Sequence, residues 1–227
     1  MQARLGRVEN MRRGTFRDET VDYAAVGATQ ASDLMQYPPE RSVPAHESWR
    51  IGSGEARFHT AGEALLSWRA LRDGGLTVSD VRPAAGPMYT GVSFDDEGKP
   101  IGASKFEADQ RFDADGTPYV SAGETIHVRG RVNGLKADGE LRVIFVVEEP
   151  RRIGFALGTV DGSVVSGEES FMLDWRTDTD EVWFTVRAFD APASFVYKLL
   201  PGLVKRRRRA LFQRYLRAIS PLYTTPA

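Results

Sequence analysis

The sequence predicts an α+β fold in which a curved antiparallel sheet wraps around a long C-terminal helix. Residues 154–160, 167–175 and 182–189 have the length and apolar content of three consecutive β-strands. A basic segment with an apolar stripe follows them and almost ends the chain. Because a bent sheet closed by one helix encloses space, the sequence favours an apolar internal cavity.

Composition narrows the class of protein. The chain has 227 residues, of which 41% are hydrophobic, enough for one domain with a substantial core. The formal net charge of −1 gives no overall attraction to nucleic acid or membranes. Cysteine is absent, which excludes disulfides and thiolate chemistry and is typical of a cytoplasmic protein. No apolar run reaches the ~18 residues of a membrane span. We therefore expect a soluble protein.

We expect a polar N-terminal segment over residues 1–20 and a single domain over 21–222. The first strand is predicted over residues 48–58, where Gly52 and Gly54 indicate a β-bulge. This strand opens the predicted main sheet.

A helix follows the first predicted strand. Thr60 and Glu63 match a capping box, which predicts that the helix starts there, and Gly74-Gly75 ends the helical pattern. Trp68 lies on the apolar face of this helix. A second strand is predicted over residues 76–82.

The middle of the chain alternates loops and strands. Residues 93–122 are rich in Asp, Gly and Pro and predict a long surface excursion. The strand at 125–132 places His127 on its solvent face. Residues 141–147 are apolar at both parities, as in a central strand, and form a hairpin with 153–160.

Glu169 is the candidate polar group of the interior. Strand periodicity places it on the same face as Phe171, Leu173 and Trp175, whereas its neighbour Glu168 should face out. A carboxylate on an apolar face is costly unless it is paired or hydrated. Glu169 is therefore a ligand-handling group, half of an ion pair, or a solvated strand end.

The terminal helix is predicted to begin near Ser194 and to kink at Pro201-Gly202. Arg208 falls on its apolar stripe, where it can reach out to solvent, pair with Glu169, or bind a ligand carboxylate or phosphate. The basic run 205–209 is otherwise a solvated face, and Lys205, Arg206 and Arg209 would then give weak contact with acidic surfaces such as lipid or RNA.

Five blocks of sequence resemble the DUF1990 (UPF0548-like) family of bacterial and plant proteins, a domain-of-unknown-function family. They are Val26 to Thr29, Arg50 to Gly54, Gly154 to Thr159, Gly167 to Phe171 and Ala188 to Pro192. The resemblance extends over about residues 23–219 and implies no activity. Members often carry His-Pro-Glu before the Gly-Glu-Glu block, where this chain has Ser163-Val164-Val165.

The order of elements also resembles the helix-grip (SRPBCC-like) architecture of the START and Bet v 1-like superfamily. That resemblance implies an apolar cavity for lipids, steroids, polyketides or other aromatic compounds between the sheet and the terminal helix. It is a likeness of architecture without a diagnostic motif.

Two functions are therefore predicted. The first is binding of a hydrophobic small molecule or lipid, with no specific nucleic-acid partner. The second is a cyclase-like or hydratase-like enzyme that uses Glu169 as general base, because an apolar wall raises the pKa of a carboxyl group. The predicted ligand-binding residues are Trp68, Glu169, Phe171, Trp175, Phe184, Arg208 and Tyr215. The three histidines are far apart in sequence, so we expect neither a metal nor another cofactor.

Overall fold

The fold is described from a computed structural model. It covers residues 21–84, 93–94, 100–101, 111–113, 116–132, 135–160, 165–192 and 201–220.

The described residues form nine strands. They are β1 (Val43–Ser53), β2 (Leu76–Arg82), β3 (Ser93–Phe94), β4 (Pro100–Ile101), β5 (Thr125–Val132), β6 (Leu135–Glu149), β7 (Arg152–Thr159), β8 (Val165–Arg176) and β9 (Glu181–Pro192). Seven of them build one curved antiparallel sheet in the order β1-β9-β8-β7-β6-β5-β2, while β3 pairs with β4. Hairpins join β5 through β9, and β1 closes the sheet against the last strand.

Within the described residues, three α-helices accompany the sheet: α1 (Glu55–Leu66), α2 (Arg69–Asp73) and α3 (Pro201–Ile219). They pack against one face of the sheet, which we call the inner face. Tyr215 of α3 meets Phe171 of β8 edge-on, with ring centroids 5.1 Å apart. Trp68, between α1 and α2, meets Phe155 of β7 at 5.6 Å. The core is therefore formed by aromatic residues of the inner face and by the helices above it.

The opposite, outer face is covered in part by residues 21–31, which include the 3-10 helix Ala28–Gln30. Tyr23 packs edge-on against Phe189 of β9, with ring centroids 5.6 Å apart. Residues at both parities of β8 and β9 are consequently buried at this end of the sheet.

The structure confirms the predicted antiparallel strands and the C-terminal helix. It also confirms a bulge in β1, where the register with β9 shifts between Arg50 and Gly52. The first strand begins at Val43 and ends at Ser53, so the prediction that it runs to residue 58 is wrong. Gly54 breaks the strand because its φ of 87° lies in the left-handed region.

The predicted capping box at Thr60 and Glu63 is also wrong. Helix α1 starts at Glu55, so Thr60 lies inside it and its hydroxyl donates to the Ala56 carbonyl at 2.9 Å. This is the backbone interaction that a threonine makes within a helix. Trp68 then adopts a positive φ of 67° and separates α1 from α2.

The predicted kink at Pro201-Gly202 falls at the first described residues of α3. Proline is tolerated in the first turn of a helix because it removes an amide hydrogen that has no intrahelical acceptor. The predicted helical residues 194–200 lie outside the described residues. So do most of residues 93–122.

Candidate functional site

Glu169 lies on the inner face of β8, between Leu157 of β7 and Ala188 of β9. Its side chain is surrounded by protein, yet the residue keeps some accessible surface. Burial raises the pKa of Glu169 to about 7, against the opposing effects of the Arg208 charge and a hydrogen bond with Tyr215. The carboxyl group therefore changes its protonation near neutral pH.

Tyr215 is the hydroxyl partner of Glu169. Burial, followed by the Glu169 charge and the hydrogen bond to it, raises the pKa of Tyr215 well above its ordinary value. Tyr215 thus stays protonated, and its hydroxyl donates a hydrogen bond to the Glu169 carboxylate. Its ring is 2% exposed and packs on Phe171, which fixes the position of the hydroxyl.

Arg208 lies seven residues, about two helical turns, before Tyr215 on α3 and makes direct contacts with Asp190 and Val43. Its guanidinium forms an ion pair with Asp190 of β9 and donates to the Val43 carbonyl at 2.9 Å. Burial lowers the pKa of Arg208, and the nearby Glu169 charge raises it. Arg208 therefore acts on Glu169 through its charge, while its ion-pair partner is Asp190.

The aromatic candidates divide into two groups. Phe171 and Phe184 are fully buried, as is Trp68, whose indole N–H donates to the Pro118 carbonyl at 3.1 Å. Trp175 lies at the other end of β8, where it stacks on Phe58 with ring centroids 6.1 Å apart. It is six residues along the strand from Glu169, which corresponds to about 20 Å at ~3.3 Å per residue. The structure thus brings together Glu169, Phe171, Arg208 and Tyr215, and leaves Trp175 outside this group.

Glu168 points to the outer face, as predicted, and it is buried there. Residues 21–31 cover it and leave it 2% exposed. Its carboxylate accepts hydrogen bonds from the Tyr23 hydroxyl (2.9 Å), the Gly27 amide (2.7 Å), the Thr29 amide (3.1 Å) and the Thr29 hydroxyl. Strand periodicity gave the direction of the side chain and could not show the segment that covers it.

Sequence reasoning missed two further inward carboxylates. Asp190 shares the parity of Ala188 on β9, and Glu124 precedes β5 at the parity of Ile126 and Val128. Glu124 is 1% exposed, and its carboxylate accepts from the Ser121 amide at 2.8 Å. The same two-residue periodicity that identified Glu169 identifies both residues once the strand ends are known.

In the basic run 205–209, few of the described side chains are available for an external partner. Arg206 is exposed, and Arg209 lies 3.6 Å from Glu47 of β1. The side chain of Lys205 lies outside the described residues. Contact of this run with an acidic surface remains a prediction.

His127 lies on the face of β5 opposite to the buried Ile126 and Val128, as predicted. It is only partly exposed there, because its Nε2 lies 2.9 Å from Oδ1 of Asp138 on β6. In the part of the chain that the structure describes, no three His, Asp or Glu residues are grouped so that they could hold a metal ion.

Two grooves open on the outer side of the sheet. One of about 480 Å³ is lined by Arg151, Arg152, Arg176 and Trp183, and another of about 530 Å³ by Tyr23, Pro39 and Phe189, each with further residues. Neither contains a residue of the Glu169 group. On the inner face, a Cβ added at Gly139 of β6 would meet no described atom within 4 Å.

Residues 22–95 and 105–218 match the family described as domain of unknown function DUF1990. The chain belongs to the DUF1990 family. A UPF0548 protein of Deinococcus radiodurans is 38% identical over 78 residues, which are 33% of this chain and 39% of that protein. A UPF0548 protein of Arabidopsis thaliana is 25% identical over 170 residues, 72% of this chain and 65% of that protein. The chain thus matches less than two thirds of either relative's length.

Solved structures with a similar course of the chain are more distant. Norcoclaurine synthase from Thalictrum flavum shows a TM-score of 0.42 at 11% identity, covering 82% of this chain and 90% of that one. The di-domain ARO/CYC BexL of the BE-7585A biosynthetic pathway shows a TM-score of 0.47 at 12% identity, covering 98% of this chain and 61% of that one.

Across the described residues, every helix is too short or too polar to cross a membrane.

Proposed function

We propose that this DUF1990 domain, residues 21–222, binds an apolar small molecule or a lipid between α3 and the inner face of the sheet, in the manner of a helix grip. The observation that carries the proposal is the placement of Glu169. A partly exposed carboxyl group beside apolar residues of the inner face gives a ligand one polar anchor among hydrophobic contacts.

The neighbours of Glu169 are suited to such a ligand. Phe171 and Tyr215 provide aromatic surface on the sheet and on the helix. Leu141 of β6 and Leu211 of α3 are apolar and only partly buried, so they retain surface that a ligand could cover. The open position at Gly139 lies on the same face, further along β6. Trp68 and Phe184 support this surface from within the core.

The absence of cysteine favours a reducing compartment, and we place this binding function in the cytoplasm.

The protonation of Glu169 favours an enzyme as the second candidate. A general base works best when its pKa is near the working pH, and the pKa of Glu169 is about 7. Such an enzyme would bind its substrate in the same place and use Glu169 to remove a proton, as a cyclase or hydratase does. Tyr215 would then position the carboxylate.

The experiment starts with protein purified from its natural host. Solvent extraction and mass spectrometry should find a co-purifying apolar compound, and the stripped protein should bind the neutral dye Nile red. Gly139→Leu should weaken dye binding because the leucine fills the open space, whereas Glu63→Gln, on the exposed side of α1, should not. An empty preparation that also ignores the dye would refute the binding function.

The two candidate functions separate at Glu169. If the protein is an enzyme, Glu169→Gln abolishes turnover of the extracted compound and leaves its binding intact. If the protein only binds the compound, the extract comes back chemically unchanged after incubation with the natural protein.

A further inference from the structure

Among the described side chains, the charges on the inner face are unequal in number. Four carboxylates, those of Glu47, Glu124, Glu169 and Asp190, lie on this face or at its edge. Two of the described cations of α3, Arg208 and Arg209, reach them. Arg208 is engaged by Asp190, and Arg209 lies 3.6 Å from Glu47. Among the described groups this leaves Glu124 and Glu169 without an ion-pair partner of their own.

Glu124 occupies the same row of the sheet as Glu169. The Val143 amide bonds the Glu124 carbonyl, Val143 pairs with Leu157, and Leu157 pairs with Glu169. The two glutamates are therefore three strands apart, about 14 Å at ~4.8 Å per strand, with apolar side chains between them. Burial raises the pKa of Glu124 to about 7, opposed by the hydrogen bond from the Ser121 amide and by no cation.

Arg208 is a poor anchor for an anionic ligand. Its guanidinium already binds the Asp190 carboxylate and the Val43 carbonyl, and the side chain is 12% exposed. A ligand carboxylate would have to displace Asp190 and leave that charge buried and unpaired, which is strongly unfavourable. A fatty acid would also bring its charge near Glu169.

A protonated amine suits the charges of this site better than a carboxylate does. Placed beside Glu169, it supplies a direct ion-pair partner, whereas Arg208 makes its direct ion pair with Asp190 and acts on Glu169 only through its charge. Its hydrocarbon part then covers the apolar surface between β8 and β6.

We propose that the ligand is an apolar molecule bearing a protonated amine, which binds at Glu169, while the buried Glu124 adds negative charge from the far side of the same row. This inference rests on the proposed function, since it names the chemistry of the ligand for the same site.

The experiment compares three probes of equal chain length: dodecylamine, dodecanol and dodecanoate. Displacement of bound Nile red gives their dissociation constants at pH 6 and pH 8, at concentrations below micelle formation. At pH 8, where Glu169 is largely ionised, dodecylamine should bind at least about tenfold more tightly than dodecanol, the worth of one charge-assisted contact. At pH 6 this preference should shrink, because Glu169 is protonated while the amine keeps its charge. Dodecanoate should bind weakest.

The variants assign the preference to its residue. Glu169→Gln should remove the preference for the amine over dodecanol; Glu124→Gln should reduce this preference less, and Glu63→Gln should not change it. An equal preference for dodecanoate, or an amine preference that survives in Glu169→Gln, overturns the inference. If dodecanol displaces the dye without any amine preference, the inference fails and the binding function stands. If the protein binds neither dye nor probes, the binding function itself fails.

Discussion

Replacement of Glu169 by glutamine should stabilise the protein at alkaline pH and leave its stability nearly unchanged at acidic pH. The pKa of Glu169 is about 7 in the folded protein, against an ordinary value of 4.5. Between these values the unfolded chain loses the proton and the folded chain keeps it. The unfolded state then binds fewer protons, so stability falls as the pH rises through this window.

The size of the effect follows from the same values. At about 1.4 kcal/mol for each unit of pKa, the gap from 4.5 to about 7 corresponds to about 3 kcal/mol. Glutamine has nearly the shape of the protonated acid and cannot ionise. Relative to the natural chain, Glu169→Gln should therefore gain about 3 kcal/mol between pH 5 and pH 8.

Urea unfolding followed by circular dichroism at half-unit steps of pH measures this difference, provided that the denaturant dependence is the same for both chains. Glu168→Gln is the matched control, because it makes the same chemical change one residue away on the opposite face. It should destabilise the protein, since its amide group meets donors. A stability difference for Glu169→Gln that stays flat from pH 5 to pH 8 would refute the burial argument.

The remaining predictions concern the contacts around these two glutamates. Glu168→Ala should cost about 3 to 5 kcal/mol of unfolding free energy, because it leaves buried amides of residues 27 and 29 without acceptors, while Tyr23→Phe should cost about 1 kcal/mol; equal losses in urea titrations would contradict this ranking. Gly158→Ala should destabilise the protein by about 1 to 3 kcal/mol, since its Cβ would lie 2.2 Å from the Tyr23 hydroxyl, and thermal melts that show no loss would count against the contact. Arg208→Met should cost about 3 to 5 kcal/mol by leaving Asp190 charged and unpaired, and Asp190→Asn should recover part of that loss in the double variant; simple additivity of the two losses would disprove the pairing.

Most of the sheet could be predicted because its strands alternate or are bounded by turn residues. Strands β2 and β5 have the predicted limits, and β7 to β9 differ from prediction by a few residues at their ends. The start of α1 could not be predicted from its capping signal, because Gly54 ends the strand by its backbone conformation and the helix follows without a side-chain cap. A local motif at Thr60 was outweighed by the geometry of the preceding strand.

For the candidate site, the sequence predicted which way the side chains point better than it predicted which groups they contact. The parity of β8 placed Glu169 on the inner face, and the helical stripe placed Arg208 and Tyr215 on the side of α3 that faces it. The ion pair of Arg208 with Asp190 could not be found this way, because β9 has to end beyond Phe189 for Asp190 to share the face. Long-range contacts of this kind depend on strand register, which no local pattern contains.

The consecutive glutamates of β8 connect the two sides of the protein through a single peptide unit. Glu168 is clamped by the outer segment and Glu169 by Tyr215, so neither carboxylate can shift along the strand without pulling on the other. Residues 21–31, which cover the outer face, therefore help to hold Glu169, the proposed ligand anchor, in position, although they do not contact the interior. Weakening the contacts of that segment should make the orientation of the Glu169 carboxylate less well defined, while the core stays packed. Changes on the outer face would thus alter ligand binding on the inner face.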